Sequence, residues 1–148
     1  MKFDIVFRNQ TGYKKFKESF FKAVLNTAFE VLKFKKNIEL SVNLVSEKDI
    51  SRLNKKYRGL NKTTDVLSFP LGEHKSYDIL PLGDIFICPG FAVKEAAKLN
   101  IAIEKEMAWL AIHGVLHLLG FDHEKSKKAA GKMSKTEQLI LKKWENRI

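Results

Sequence analysis

Three of the chain's four histidines, His113, His117 and His123, fall within one stretch, HGVLHLLGFDH, residues 113–123. Residues four apart on an α-helix share a face about one turn apart. This spacing lets His113 and His117 present two imidazoles to one point. Gly120 follows three residues later. Glycine enters left-handed backbone without steric penalty and commonly ends helices. A break there carries the chain past Phe121 and Asp122 and returns His123 to the same point. Three imidazoles with an open fourth position are the ligand set of a catalytic zinc rather than a closed structural one. A single histidine on an apolar helix face is more often a packed core residue. Three at this spacing, with the break placed to fold the third back, point instead to a metal site at the end of a core helix, one zinc per chain. The flanking Leu110, Ala111, Ile112, Val115, Leu116, Leu118 and Leu119 would bury that helix, and buried imidazoles need partners.

The spacing is also that of the metzincin proteases, HExxHxxGxxH, in which a glutamate after the first histidine is the general base of peptide hydrolysis. Here that position is Gly114. The ligand geometry is kept and the peptidase base is missing, which argues for another substrate.

Composition narrows the choice. A chain of 148 residues suits one domain, 1–148, with a real core. The formal net charge of +10 favours a polyanionic partner, nucleic acid or an anionic surface, over a neutral one. A solvated lysine face is the plainer reading of the lysines scattered along helices. The lone cysteine, Cys88, forbids an intramolecular disulfide and reads as a small buried residue, consistent with a reducing, cytoplasmic setting. The opening MKFDIVFRN alternates polar and apolar residues and carries Asp4 and Arg8, so no secretion signal is expected in it. The most apolar run, Met107 to Leu119, is too short to span a bilayer, so no membrane partner is expected.

The elements that must position the histidines follow from periodicity. Phe3, Ile5 and Phe7 mark a half-buried strand. Tyr13 to about Lys35 reads as a helix, with Phe16, Phe20 and Val24 in one apolar row and Phe21, Leu25, Ala28 and Leu32 in the next. Ile38, Leu40, Val42 and Leu44 alternate as a second one-faced strand. Ser46 with Asp49 opens a short helix through Tyr57. RGLNKTT, 58–64, reads as a loop, Asp65 to Phe69 as a strand stopped by Pro70, and 71–82 as a loop holding Gly72, His74 and Pro81. Asp84 to Cys88 is a strand, and Pro89 starts a helix to about Leu99. The histidine helix spans about Ile103 to Leu119, and a lysine-rich amphipathic helix runs from about Lys127 to Trp144. This order predicts an α+β fold: a small mixed four-stranded sheet packed with about five helices.

A second segment could carry chemistry: NKKYRGLNKTTDVLSFP, residues 54–70. It concentrates Lys55, Lys56, Arg58 and Lys62. The planar arginine fork fits phosphate oxygens and never loses its charge. Tyr57 could stack on a base, or simply pack in the core.

Together, the histidine motif, YRGLNKTTDVLSFP and LGDIFIC resemble the YbeY family of bacterial endoribonucleases. The resemblance is strong from about Leu53 to Asp122 and includes His123. The family's HGxLHLxGxDH pattern is met at every position. Phe121 stands where a tyrosine is commonest, and Lys62-Thr63-Thr64 replaces a segment in which the family often has a proline. The resemblance implies a zinc-dependent endoribonuclease that matures ribosomal RNA, notably the 3′ end of the small-subunit RNA. It also implies a part in ribosome quality control, with ribosomal RNA and the small subunit as partners. It implies His113, His117 and His123 as zinc ligands and Arg58 as the residue acting in cleavage. On this reading zinc lowers the pKa of a bound water and Arg58 neutralises charge on the phosphoryl oxygens. Lys55, Lys56, Lys62 and the last helix hold the backbone. The general base stays open among Asp65, Asp84 and Asp122. Two rivals are a metalloprotease-like zinc hydrolase and a non-catalytic RNA-binding, ribosome-associated factor with structural zinc.

Overall fold

A computed structural model describes residues 3–71 and 79–148. Gly72 and His74, assigned above to a loop, lie outside the described residues. The elements run β1 Phe3–Asn9, α1 Glu18–Val31, β2 Asn37–Leu44, α2 Glu47–Arg58, β3 Val66–Pro70, β4 Ile79–Ile87, α3 Pro89–Leu99, α4 Ile103–Leu118 and α5 Lys127–Glu145. The four strands form one mixed sheet in the order β1-β2-β4-β3. β1 and β4 pair parallel with β2, and β3 pairs antiparallel with β4. Among the described residues, the α+β class and the mixed four-stranded sheet with five helices are those expected.

Strand alternation sorts the side chains into two cores. Ile38, Leu40, Val42 and Leu44 of β2, with Ile85 and Ile87 of β4, meet α1, α4 and α5 in the larger one. Leu67 and Phe69 of β3 and Phe86 of β4 turn the other way. They meet Ile50 and Leu53 of α2 and Phe91 of α3 in the smaller one. Helix α4 is buried on most of its circumference, with Met107, Leu110, Ile112 and Leu116 fully enclosed. Burying such side chains stabilises the fold by roughly 1.5–3 kcal/mol each. Gly114 makes the close approach of α4 to the sheet possible. A Cβ there would lie 2.9 Å from Ile85 Cγ2 and 3.3 Å from Ser68 Oγ.

Three expectations change. Helix α1 begins at Glu18, because Lys17 is extended; Phe16 is buried and Tyr13 packs on the same core, but from an irregular segment. Their aromatic spacing imitates a helical row without being one. Strand β4 begins at Ile79 rather than Asp84, and so contains Pro81 and Gly83. A register shift opposite Glu39 and Leu40 accommodates them, as bulges commonly do for proline and glycine in strands. Gly83 has φ +141°, and a Cβ there would lie 2.2 Å from the Phe69 carbonyl oxygen. Finally, β2 is buried on both faces near its end. Asn43 Nδ2 donates to Ser41 Oγ at 2.8 Å and to the Ile85 carbonyl at 3.2 Å, which satisfies the buried amide.

Candidate metal centre

The C-terminus of α4 builds the site. The Gly120 amide donates to the His117 carbonyl at 3.0 Å, and the Phe121 amide to the Leu116 carbonyl at 3.0 Å. With Gly120 at φ +97°, this is the Schellman end of a helix, satisfying carbonyls that would otherwise be orphaned. The turn redirects residues 121–123 across the helix end. The candidate ligand nitrogens of His113, His117 and His123 then lie within 4.8 Å of one another. The Nε2 atoms of His113 and His117 are 3.1 Å apart. Nitrogens around a four-coordinate zinc stand roughly 3.4 Å apart, so the donor set fits such an ion with small side-chain adjustment.

Electrostatics fit as well. Burial, and then the neighbouring His113 and His123, push the His117 imidazole below its ordinary value. That favours the neutral form a metal requires. His113 Nδ1 donates to Glu137 Oε1 at 2.7 Å, which leaves its Nε2 lone pair facing the cluster. The other oxygen of Glu137 accepts from Trp109 Nε1 at 2.9 Å, and the Trp109 ring stacks on His113 at 4.8 Å. A carboxylate behind a ligand histidine fixes its tautomer and orientation. Glu137 is 5% exposed, so both of its partners are needed to offset its desolvation. Sequence patterning alone does not single it out. The available signal was a glutamate in the apolar row Met133, Glu137, Ile140, Leu141, Trp144 of α5.

A cleft of about 590 Å³ opens over the histidines. One wall is the α4 end and residues 120–124. The other is Arg58 with Thr64, Asp65, Ser68 and Pro70. Ser68 Oγ donates to the Gly114 carbonyl at 3.1 Å and ties β3 to α4. Arg58 is the last residue of α2 rather than the first of a loop. Gly59, at φ +70°, ends the helix there, and the exposed Arg58 side chain reaches the cleft wall. Lys55 and Lys56 sit on the same last turn of α2, and Lys62 on the following loop. All three are exposed, and none lines the cleft. On the opposite rim the Lys132 ammonium stands 5.9 Å from the Phe121 ring centre.

The three candidate bases part company. Asp84 lies in the sheet, where its carboxylate accepts from Ser41 Oγ, and it is outside the cleft wall. Asp122 lines the cleft, with one oxygen accepting from the Glu124 amide at 2.9 Å. Asp65 lines the cleft too, and burial pushes its carboxyl above the ordinary value. Gly114 faces Ile85 and Ser68. No side chain fits there, so the peptidase glutamate is excluded by packing as well as by identity.

Proteins similar to this chain are known in sequence and in structure. A sequence model of the family described as Endoribonuclease YbeY matches residues 5–145. A Caldicellulosiruptor saccharolyticus protein named Endoribonuclease YbeY is 34% identical over 97% of this chain and 94% of its own length. One from Aquifex aeolicus is 44% identical over 72% of this chain and 71% of its own. A Thermotoga maritima protein of known solution structure is 30% identical, covers 97% of this chain and 93% of its own, and superposes with a TM-score of 0.63.

Proposed function

This chain belongs to the Endoribonuclease YbeY family, and on that premise we propose that it is a metal-dependent endoribonuclease that cleaves single-stranded ribosomal RNA during maturation and quality control of the small ribosomal subunit. The whole chain acts as one catalytic unit in the cytoplasm. Its metal is zinc, one ion per chain, held by His113, His117 and His123. The single observation that carries the reading is the convergence of three imidazoles in a cleft whose facing wall holds Arg58.

A cation in that position supplies Lewis acidity to water and phosphate. The protein's own groups do the rest. Glu137 holds the His113 ring in its ligand tautomer. Arg58 presents a bidentate fork to phosphoryl oxygens and stabilises the charge that develops on them. Asp65 and Asp122, both in the cleft wall, are the carboxylates placed to move a proton there. Lys55, Lys56 and Lys62 hold flanking phosphates outside the cleft, which makes binding steeply salt-dependent. The small-subunit partner follows from the family resemblance of the motifs. Among the described residues no helix is long and apolar enough to cross a membrane.

The test is cleavage of single-stranded RNA, duplex RNA and casein by the pure protein, with and without chelator, alongside elemental analysis. Chelator-sensitive cleavage of single-stranded RNA and about one zinc per chain are expected. Casein cleavage would support a protease. RNA binding without cleavage would support a structural zinc in a binding factor.

A further inference from the structure

Tyr57 precedes the cleft-lining Arg58, yet its side chain is not absorbed by either core. It is 57% exposed, unusually open for a residue with so much apolar ring. Its edge rests on Phe69 at 5.1 Å, and Phe69 in turn packs edge-on against Phe86 at 5.6 Å. The ring is therefore a braced outer member of an aromatic ladder rooted in the smaller core. The Lys56 ammonium stands 5.1 Å from its centre. Phe69 lies between Ser68 and Pro70, both in the cleft wall. Alternation along β3 places Phe69, and with it Tyr57, across that edge strand from the histidines. Leu71, two residues beyond Phe69, is 54% exposed. The rim beside Arg58 thus combines an exposed aromatic braced on Phe69 with the cations Lys55, Lys56 and Lys62.

We propose that Tyr57 is a nucleobase-stacking platform that holds an unpaired base of the RNA strand as it leaves the cleft over the β3 edge, while Lys56 turns to the adjoining phosphate. The chemistry matches sites that bind single strands: a π-face that accepts any base, beside positive charge that tracks the backbone. The braced ring loses little conformational freedom on binding. Stacking needs an unstacked base, so the platform favours single strands over duplex. This inference rests on the endoribonuclease reading and adds to it a base subsite outside the metal cleft.

The experiment measures equilibrium binding of an end-labelled single-stranded RNA, its duplex and a set of single-abasic versions, on wild type, Tyr57→Ala, Tyr57→Phe and Tyr57→Trp. Zinc content and thermal melting are measured in parallel. Tyr57→Ala should bind the single strand about tenfold more weakly, the usual order for one lost base stack, with zinc content and melting unchanged. Tyr57→Phe and Tyr57→Trp should bind like wild type, and duplex binding should not respond. One abasic position should weaken wild type but cost Tyr57→Ala nothing further, the signature of a coupled pair. Equal binding by Tyr57→Ala and wild type would overturn the platform while leaving the nuclease reading intact. A loss shared by Tyr57→Phe would replace stacking by a hydroxyl hydrogen bond, and equal losses on duplex and single strand would replace it by a contact to the backbone. Wild-type protein that neither binds nor cleaves RNA would remove both readings together.

Discussion

Two helix ends converge on the cleft, and they are built in opposite ways. Both α2 and α4 stop at a glycine with positive φ, Gly59 at +70° and Gly120 at +97°. On the α4 side the helix body is buried and His113 and His117 are half-buried, while His123, on the turn beyond, is exposed. The helix is pressed against the sheet at Gly114, His113 is held by Glu137 and Trp109, and Ser68 ties the helix to β3. The α2 end carries Lys55, Lys56, Tyr57 and Arg58 in the open. A proposed metal centre gains from ligands oriented in advance, and packing supplies that for His113 through Glu137 and Trp109. On the proposed function, this surface follows a flexible polyanion with long cationic side chains, and Tyr57 is its braced member. The same terminator therefore ends a packed helix beside a half-buried histidine pair on one side and an exposed cationic turn on the other.

The sharpest break of this contrast is His117→Ala. It should abolish zinc binding and with it RNA cleavage, measured by elemental analysis and endpoint cleavage. Unchanged zinc would show that the three histidines are not the ligand set. Acidification should mimic the loss in wild type. Protons compete for the imidazoles, so zinc content should fall as the pH drops below the ordinary histidine value of 6.5.

Arg58→Lys should cost on the order of a hundredfold or more in cleavage rate, as the loss of one transition-state donor usually does. RNA affinity and thermal stability should barely move, because the exposed side chain buries little apolar surface. Wild-type rates would make Arg58 a surface charge. An early melt would make it structural.

Glu137→Gln sits on the buried side of the comparison. It keeps the shape but removes the charge that holds His113. Zinc affinity, read by competition with a chromogenic chelator, should fall about ten- to a hundredfold. Affinity equal to wild type would mean that Trp109 and the helix alone orient the ring.

The smallest expected effect is on stability. Glu106 lies on α4, 4% exposed. Burial, then the charges of Asp65 and Glu95, push its carboxyl above 4.5. As pH rises past that value the unfolded chain ionises first, so the penalty on the fold grows upward from about there. Below it both states are protonated and the penalty vanishes. Glu106→Gln should therefore melt higher than wild type at neutral pH and converge with it in acid. Identical melts across the range would show that the buried carboxyl costs the fold nothing.

What the sequence determined by itself was local. His113, His117 and Gly120 are linked by one helical turn and one helix stop, so spacing alone specified their common face and the fold-back to His123. Binary patterns gave the strands, the helices and the α+β class wherever one period dominated. They misled at Tyr13 and Phe16, which pack on the core without being helical, and at Pro81 and Gly83, which β4 accommodates by a bulge. The tertiary structure alone decided which distant residues share the cleft. Glu137 stands 24 positions from His113 and Ser68 stands 46 from Gly114, and no periodicity connects residues so far apart. Only the packing of α5 against α4, and of β3 against α4, brings a buried carboxylate behind His113 and puts Arg58 and Asp65 on the same cleft while leaving Asp84 in the sheet. Spacing fixes what a single element can present. Which elements face each other depends on burying apolar surface and satisfying polar groups throughout the fold at once.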